Sequence, residues 1–506
     1  MPTNEHSQST VLVARHFDID TRQEPVIFLR RDSAVARSEG FEALSRVNVA
    51  SKHRSIIATL VIVGEDLLQP GHAGLSDAAR HLLDSHEGDE LVLSYPRPVK
   101  SLSYLRSKIY GNPLSAQAFQ AIMRDIVDGR YMDVHLSAFI TACANGRLSG
   151  DEISLLTEAM VDAGERLHWP GTPIVDKHCI GGLPGNRTTP VVVAIAVARG
   201  LTMPKTSSRA ITSPSGTADT METLAPVDLD LATMRRVVER EGGCIAWGGS
   251  VSLSPADDIL IRVERALNID SEGQLIASVL SKKIAAGSTH VVIDIPVGPT
   301  AKVRDPAAAD ALAAQLKAVG HQLGLEICIA VSDGSQPVGR GIGPALEARD
   351  VLAVLQNQAG APADLRQRSL ELAGLLLETA GVADPGLGFE AAERTLDDGS
   401  AWSRFQAICE AQGGLSEPPR ANYRYDVFAE HEGTVSGIDN RVLARVAKLA
   451  GAPNDKAAGL EMNVRLGNRV NAGDLLMVVH AESPGELDYS LHYMKSHRNP
   501  IEITQP

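Results

Sequence analysis

The sequence predicts an α/β protein, with a helical domain ahead of a large mixed or parallel α/β domain and β-rich regions at both ends. Three observations carry this. From residue 171 onward, short β-branched runs alternate with helix-length segments of apolar periodicity, as in a mainly parallel sheet covered by helices. Between about residues 101 and 169 the apolar period is helical. Before residue 95 and after residue 422 the chain reads as short strands separated by polar turns.

In chain order, VLVAR, PVIFL and SIIATLVIV are the strand candidates of an N-terminal extension over residues 1–95, and LVLSYPRPVK leaves it as a Pro-containing linker. AFQAIMRDIVDG, VHLSAFITACANG and SGDEISLLTEAMVDAG are helices of a domain over 96–170, the last opened by a capping box from Ser149 to Glu152. PIVDKH is a strand, IGGLPGN a glycine turn and TTPVVVAIAVARG a helix. The alternation continues with helix LATMRRVVEREGG, strand CIAWGG, helix EGQLIASVLSKKIAAG, strand HVVIDIPV, helix AAADALAAQLKAVGHQL, strand EICIAVSD and helix GPALEARDVLAVLQ. Residues 422–506, with EGTVSGI, MNVRLGNRV and DLLMVVHAE, form an α+β module.

Bulk properties exclude several functions. A formal charge of -14 over 506 residues argues against a basic nucleic-acid-binding face and against adhesion to an anionic membrane. The five cysteines are scattered and form no CxxC pair, so no disulfide framework and no zinc or other metal site is expected. MPTNEHSQST lacks the basic and apolar regions of a signal peptide, and a cytoplasmic protein is expected.

Chemistry concentrates in three places. Asp176-Lys177-His178-Cys179 runs into the glycine loop IGGLPGN ahead of a helix, which gathers charge, backbone N–H groups and a helix dipole around one point suited to phosphate. It is not a Walker loop, since Asn186-Arg187-Thr188 stands where Gly-Lys-Ser/Thr is needed. One helix and one strand later, TSSRAITSPSGTADT offers many hydroxyls and a glycine, as a neighbouring βα loop converging on the same ligand would. Finally, Ser278 and Lys282 lie four apart on one helix face, and Asp270 stands as an N-cap before Ser271 whose carboxyl is also a candidate proton donor.

DKHCIGGLPGN, KTSSRAITSPSGTADTMETLAP, GGSVSLSPADDILIRVERALNID and LIASVLSKKIAAGSTHVVIDIPVGPTAKV, in this order, resemble the thymidine and pyrimidine-nucleoside phosphorylase family, closest to its long AMP phosphorylase-like branch. The resemblance implies phosphorolysis of the N-glycosidic bond of a nucleoside 5′-monophosphate or nucleoside, giving free base and pentose 1-phosphate. Thymidine phosphorolysis is the alternative activity. It implies no cofactor beyond inorganic phosphate as co-substrate, and a homodimer or larger homo-oligomer. The helical domain, joined by residues 255–286, would face the α/β domain of residues 171–254 and 287–421 across a cleft. The C-terminal module would have a barrel-sandwich core. An anthranilate-type phosphoribosyltransferase, which also holds phosphate on glycine loops, is the rival enzyme.

By resemblance, Lys177, Ser207 and Thr217 contact phosphate. Gly182, Ser208, Arg209, Ala210, Ile211, Thr212, Ser213 and Thr217 bind substrate, as does Lys302. Ser278 and Lys282 address the base, Asp270 is the proton donor, and His178 neighbours the reacting centre. Two departures stand out. Cys179 replaces a serine that hydrogen-bonds phosphate, and neither Arg262 nor Arg265 has the spacing of the family's pyrimidine-reading arginine. The second departure favours a nucleotide or purine substrate.

Overall fold

The computed structural model describes residues 11–505 except 22, 23, 34, 36–41, 53, 97, 186, 211, 212, 268, 270, 498 and the side chain of 265. The chain divides into two units, Met1–Ala142 and Cys143–Pro506.

In the first unit, alternation of apolar and polar residues builds strands with one buried face, as in Arg46–Ala50, where Val47 and Val49 point inward. Six strands, β1 (Val11–His16), β2 (Val26–Arg30), β3 (Arg46–Ala50), β4 (Ser55–Val63), β5 (His72–Leu75) and β6 (Glu90–Ser94), close into a barrel in the order β1-β5-β2-β4-β3-β6. Leu12, Ala14, Ile27, Leu29, Leu60 and Leu91 fill its interior. Helices Leu102–Ile109, Ala116–Val127 and Asp133–Cys143 follow.

The second unit opens with helix Gly150–Asp162, whose capping box between Ser149 and Glu152 is formed as the sequence predicts. Its main sheet is parallel. β7 (Val175–Cys179), β10 (His290–Val297) and β11 (Glu326–Asp333) run in the order β11-β10-β7, and β8 (Met203–Ser207) pairs in parallel with β9 (Gly243–Trp247). A lone bridge, Ile174 to Thr202, joins β7 to β8. Helix Thr188–Ala198 is apolar on every side because it is buried on every side, between the sheet and helices Ala363–Thr379 and Ser400–Gln412.

Residues 255–285 form helices Pro255–Leu267 and Glu272–Ala285. The second is pressed so closely on the start of Gly150–Asp162 that a Cβ on Gly273 would lie 3.1 Å from Leu148 and 3.2 Å from Ile153. Its N-cap position is taken by Ser271 and not, as the sequence suggested, by Asp270; Ser271 is extended and sends its hydroxyl to the Cys143 carbonyl, 3.4 Å away. The C-terminal α+β region carries two sheets. β12 (Gly341–Ile342), β13 (Tyr423–Phe428), β15 (Gly459–Met462) and β17 (Leu475–Ala481) form one in the order β12-β15-β17-β13, and β14 (Gly433–Ile438), β16 (Arg469–Val470) and β18 (Ile501–Thr504) the other in the order β16-β14-β18.

Candidate active site

Strand alternation sends Asp176 and His178 to one face of β7 and Lys177 and Cys179 to the other. Lys177 is fully buried and donates from Nζ to Thr188 Oγ1 at 2.6 Å and Thr189 Oγ1 at 3.4 Å, the first residues of the central helix. Burial pulls its pKa below the usual lysine range, with the nearby Cys179 and Asp294 opposing. An ammonium group at a helix N-terminus concentrates positive potential that an anion would relieve. Cys179 is buried beside it, and its Sγ donates to Asp294 Oδ2 at 3.4 Å. Burial, reinforced by Asp294, pushes the thiol pKa far up, so it is no thiolate nucleophile.

The two predicted loops do meet. The Leu183 N–H donates to Ser213 Oγ at 3.0 Å, which ties the glycine loop after β7 to the hydroxyl loop after β8. A third loop, after β10, joins them: the position of a Cβ on Gly182 lies 3.3 Å from the Lys302 nitrogen, and φ of +107° further restricts that position to glycine. Ser207, at the end of β8, has a buried Oγ without a partner among the described residues. Asp219 shapes the hydroxyl loop from within by accepting from the N–H groups of Ala210 at 2.6 Å and Gly216 at 2.9 Å. Thr217 is buried at the start of the helix that follows. The guanidinium of Arg209 is bidentate on Glu222, at 2.8 and 2.7 Å, and stacks over Trp247, while Ser208 remains in the loop beside it. Ile211, Thr212 and Asp270 lie outside the described residues.

Behind β7, the buried carboxylate of Asp176 faces two ammonium groups, Lys283 at 2.7 Å and Lys205 at 3.1 Å. Burial alone would raise the pKa of Asp176, but the two cations hold it below the usual carboxylate range. Burial brings Lys283 down to about 7. His178, on the same face of β7, is driven well below 6.5 by burial and by the charges of Lys283, Lys205, Lys282 and Lys177. The imidazole is therefore neutral at pH 7 and can donate or accept a hydrogen bond.

On helix Glu272–Ala285, Lys282 Nζ lies 3.4 Å from Ser278 Oγ, as the i, i+4 spacing predicts. The same ammonium pairs with buried Asp257 at 2.5 Å. Burial would lower the Lys282 pKa, yet Asp257 keeps it raised.

Three contributors escaped the sequence reading. Thr188 receives Lys177, and Asp257 neutralises Lys282. Glu347 links the helices that follow the two loops: it forms an ion pair with Arg187 at 3.3 Å and accepts from Thr220 Oγ1 at 3.2 Å and from the Gly343 N–H at 3.3 Å. The one signal for Thr188 was its position after a glycine loop; Asp257 and Glu347 sit on helices where carboxylates normally face water.

Among the described residues no cluster of three or more His, Cys, Asp or Glu side chains suits a metal ion, and no helix is long and apolar enough to cross a membrane.

Residues 102–164 match the helical bundle domain of the glycosyl transferase family, 171–402 its a/b domain, and 434–499 the pyrimidine nucleoside phosphorylase C-terminal domain. A protein of Hahella chejuensis named "Putative thymidine phosphorylase" is 57% identical over 98% of both chains. Proteins of the same name from Polaromonas sp. and Legionella pneumophila are 58% and 56% identical, covering 97% and 96% of this chain and 96% and 94% of their own. Anthranilate phosphoribosyltransferase of Thermus thermophilus shares the fold, with a TM-score of 0.52 and 18% identity over 61% of this chain and 98% of its own. With its glycosyl transferase domains, its C-terminal domain and full-length relatives above half identity, the chain belongs to the thymidine and pyrimidine-nucleoside phosphorylase family of pentosyltransferases.

Proposed function

We propose that the protein cleaves the N-glycosidic bond of a nucleoside 5′-monophosphate of the AMP type with inorganic phosphate, giving free base and pentose 1-phosphate. One observation carries this reading: the loop after β10 sets the backbone of Lys302 against Gly182, so a second lysine joins Lys177 at the glycine loop. Two cationic residues at one loop suit a substrate phosphate as well as the attacking one. Phosphate bound by Lys177, Ser207 and Thr217 would attack C1′ as the bond to the base breaks. Held in line, it would gain the entropic advantage of an intramolecular reaction. Positive potential at the loops favours the phosphate nucleophile, while neutral His178 and the face bearing Ser278 receive the departing base.

Asp270 keeps its proposed part as proton donor. Asp270→Asn is then expected to cut kcat far more than it changes KM; equal losses in both would reduce it to a structural residue. The reaction needs no metal, and activity is expected to survive chelation of divalent cations. Assembly as a homo-oligomer in the cytoplasm is part of the same proposal.

The second reading, phosphorolysis of thymidine, is favoured by the names of the relatives at 56–58% identity. Base release from AMP, CMP, UMP, thymidine, uridine and adenosine, each with and without phosphate, separates the two. Phosphate-dependent release confined to the monophosphates supports the first; release from thymidine alone replaces it with the second.

A further inference from the structure

Gln274 is 6% exposed, and both its Oε1 and its Nε2 are buried without a hydrogen-bond partner among the described residues. A primary amide offers two donors and two acceptor sites, and leaving all of them unmade in a protein interior is costly enough to be rare. Its place on the helix gives the orphaned amide a direction. Gln274, Ser278 and Lys282 are spaced i, i+4 and i+8 on Glu272–Ala285, along one stripe of the helix. Ser278 and Lys282 are within 3.4 Å of each other on that stripe, so it is the stripe assigned to the base. Lys282 is already matched by Asp257 at 2.5 Å, which leaves it little net charge for reading a neutral base. The N-terminal turn of the helix is closed on another side by Leu148 and Ile153 against Gly273.

We infer that Gln274 is a specificity-determining residue whose amide pairs with an adjacent donor and acceptor on the edge of the leaving base. For an adenine nucleotide these are the 6-amino group and the neighbouring ring nitrogen, the arrangement an amide side chain matches in bidentate fashion. The inference rests on the phosphorolytic reading above. It accounts for a polar group that the folded chain alone leaves unsatisfied.

The test compares wild type, Gln274→Leu and Gln274→Glu on AMP and on the nucleotide of 6-unsubstituted purine, with thymidine and N3-methylthymidine as a second pair. Wild type is expected to prefer the member that presents both donor and acceptor by roughly tenfold or more in kcat/KM, the effect expected from leaving a single buried donor or acceptor without its partner. Gln274→Leu should erase that preference by losing activity on the complementary member only. Its melting temperature without ligand should stay level or rise, because the substitution removes an unpaired polar group. A preference retained in Gln274→Leu overturns the assignment. So does a lowered melting temperature with equal losses on both members, the signature of a packing role. If no substrate releases base, the phosphorolytic reading falls, and calorimetric binding of free adenine against purine decides Gln274 separately: a wild-type preference lost in Gln274→Leu supports it, and indifference in both proteins overturns it.

Discussion

At the scale of single residues, the site is a set of groups whose neighbours decide what they can do. Cys179 directs its S–H toward Asp294 in a hydrogen bond and remains a thiol, so in the proposed site it would add little to phosphate binding. Cys179→Ser is expected to lower KM for phosphate by roughly two- to tenfold, the span of one net hydrogen bond of about 0.5–1.5 kcal/mol. An unchanged or higher KM would show that this side chain never faces the anion. Since burial, reinforced by the surrounding lysines, holds His178 well below 6.5, its ring protons should show no titration between pH 6 and 8 by NMR. A midpoint inside that window would contradict the buried, cation-rich surroundings. Lys177, Gly182 and Ser213 were legible in the sequence because glycine-rich and hydroxyl-rich loops at strand ends announce themselves. Gln274, Asp257 and Glu347 were not, because nothing local distinguishes a buried amide or carboxylate on a helix from a solvated one.

At the scale of elements, β4, β10 and β11 coincide with SIIATLVIV, HVVIDIPV and EICIAVSD, where β-branched residues dominate a short run. By contrast, β5, with sequence HAGL, carries no such signal and is a strand only because the barrel supplies partners on both sides. Helices Ala363–Thr379, Gly388–Asp397 and Ser400–Gln412 escaped the sequence reading, and none has a side-chain N-cap bond to mark its start. Helix Pro344–Leu355 links the helices that follow both loops through Glu347, whose carboxyl burial raises to about 7. A carboxyl with a raised folded-state pKa favours folding most fully below its unfolded pKa, and that contribution is lost as pH rises through about 7. Stability should therefore fall between about pH 4.5 and 7 by up to about 3 kcal/mol from this group. Melting temperatures across that range should flatten in Glu347→Gln, and an unaltered slope would assign the pH dependence elsewhere.

At the scale of the whole molecule, the first unit combines a closed barrel with an apolar interior of its own. Closure removes the open strand edges that would otherwise invite mispairing. A fragment of residues 1–142 is expected to give a sigmoidal thermal transition by circular dichroism; a gradual, featureless loss of signal would show that it cannot fold alone. In the second unit, β7 is laddered to β10 along its length but touches β8 through a lone bridge, and past it the Asp176–Lys205 pair spans the gap. The Lys177 amide is served by the Asp176 side chain, at 2.6 Å, in place of a neighbouring strand. The sheet is thus open beside the proposed phosphate site, and protection from solvent there depends on side chains and, on that proposal, on a bound anion. In deuterium-uptake experiments the Lys177 amide should exchange ahead of those in β10, and saturating phosphate should slow it, so the bound anion would serve as the missing rung between two strands.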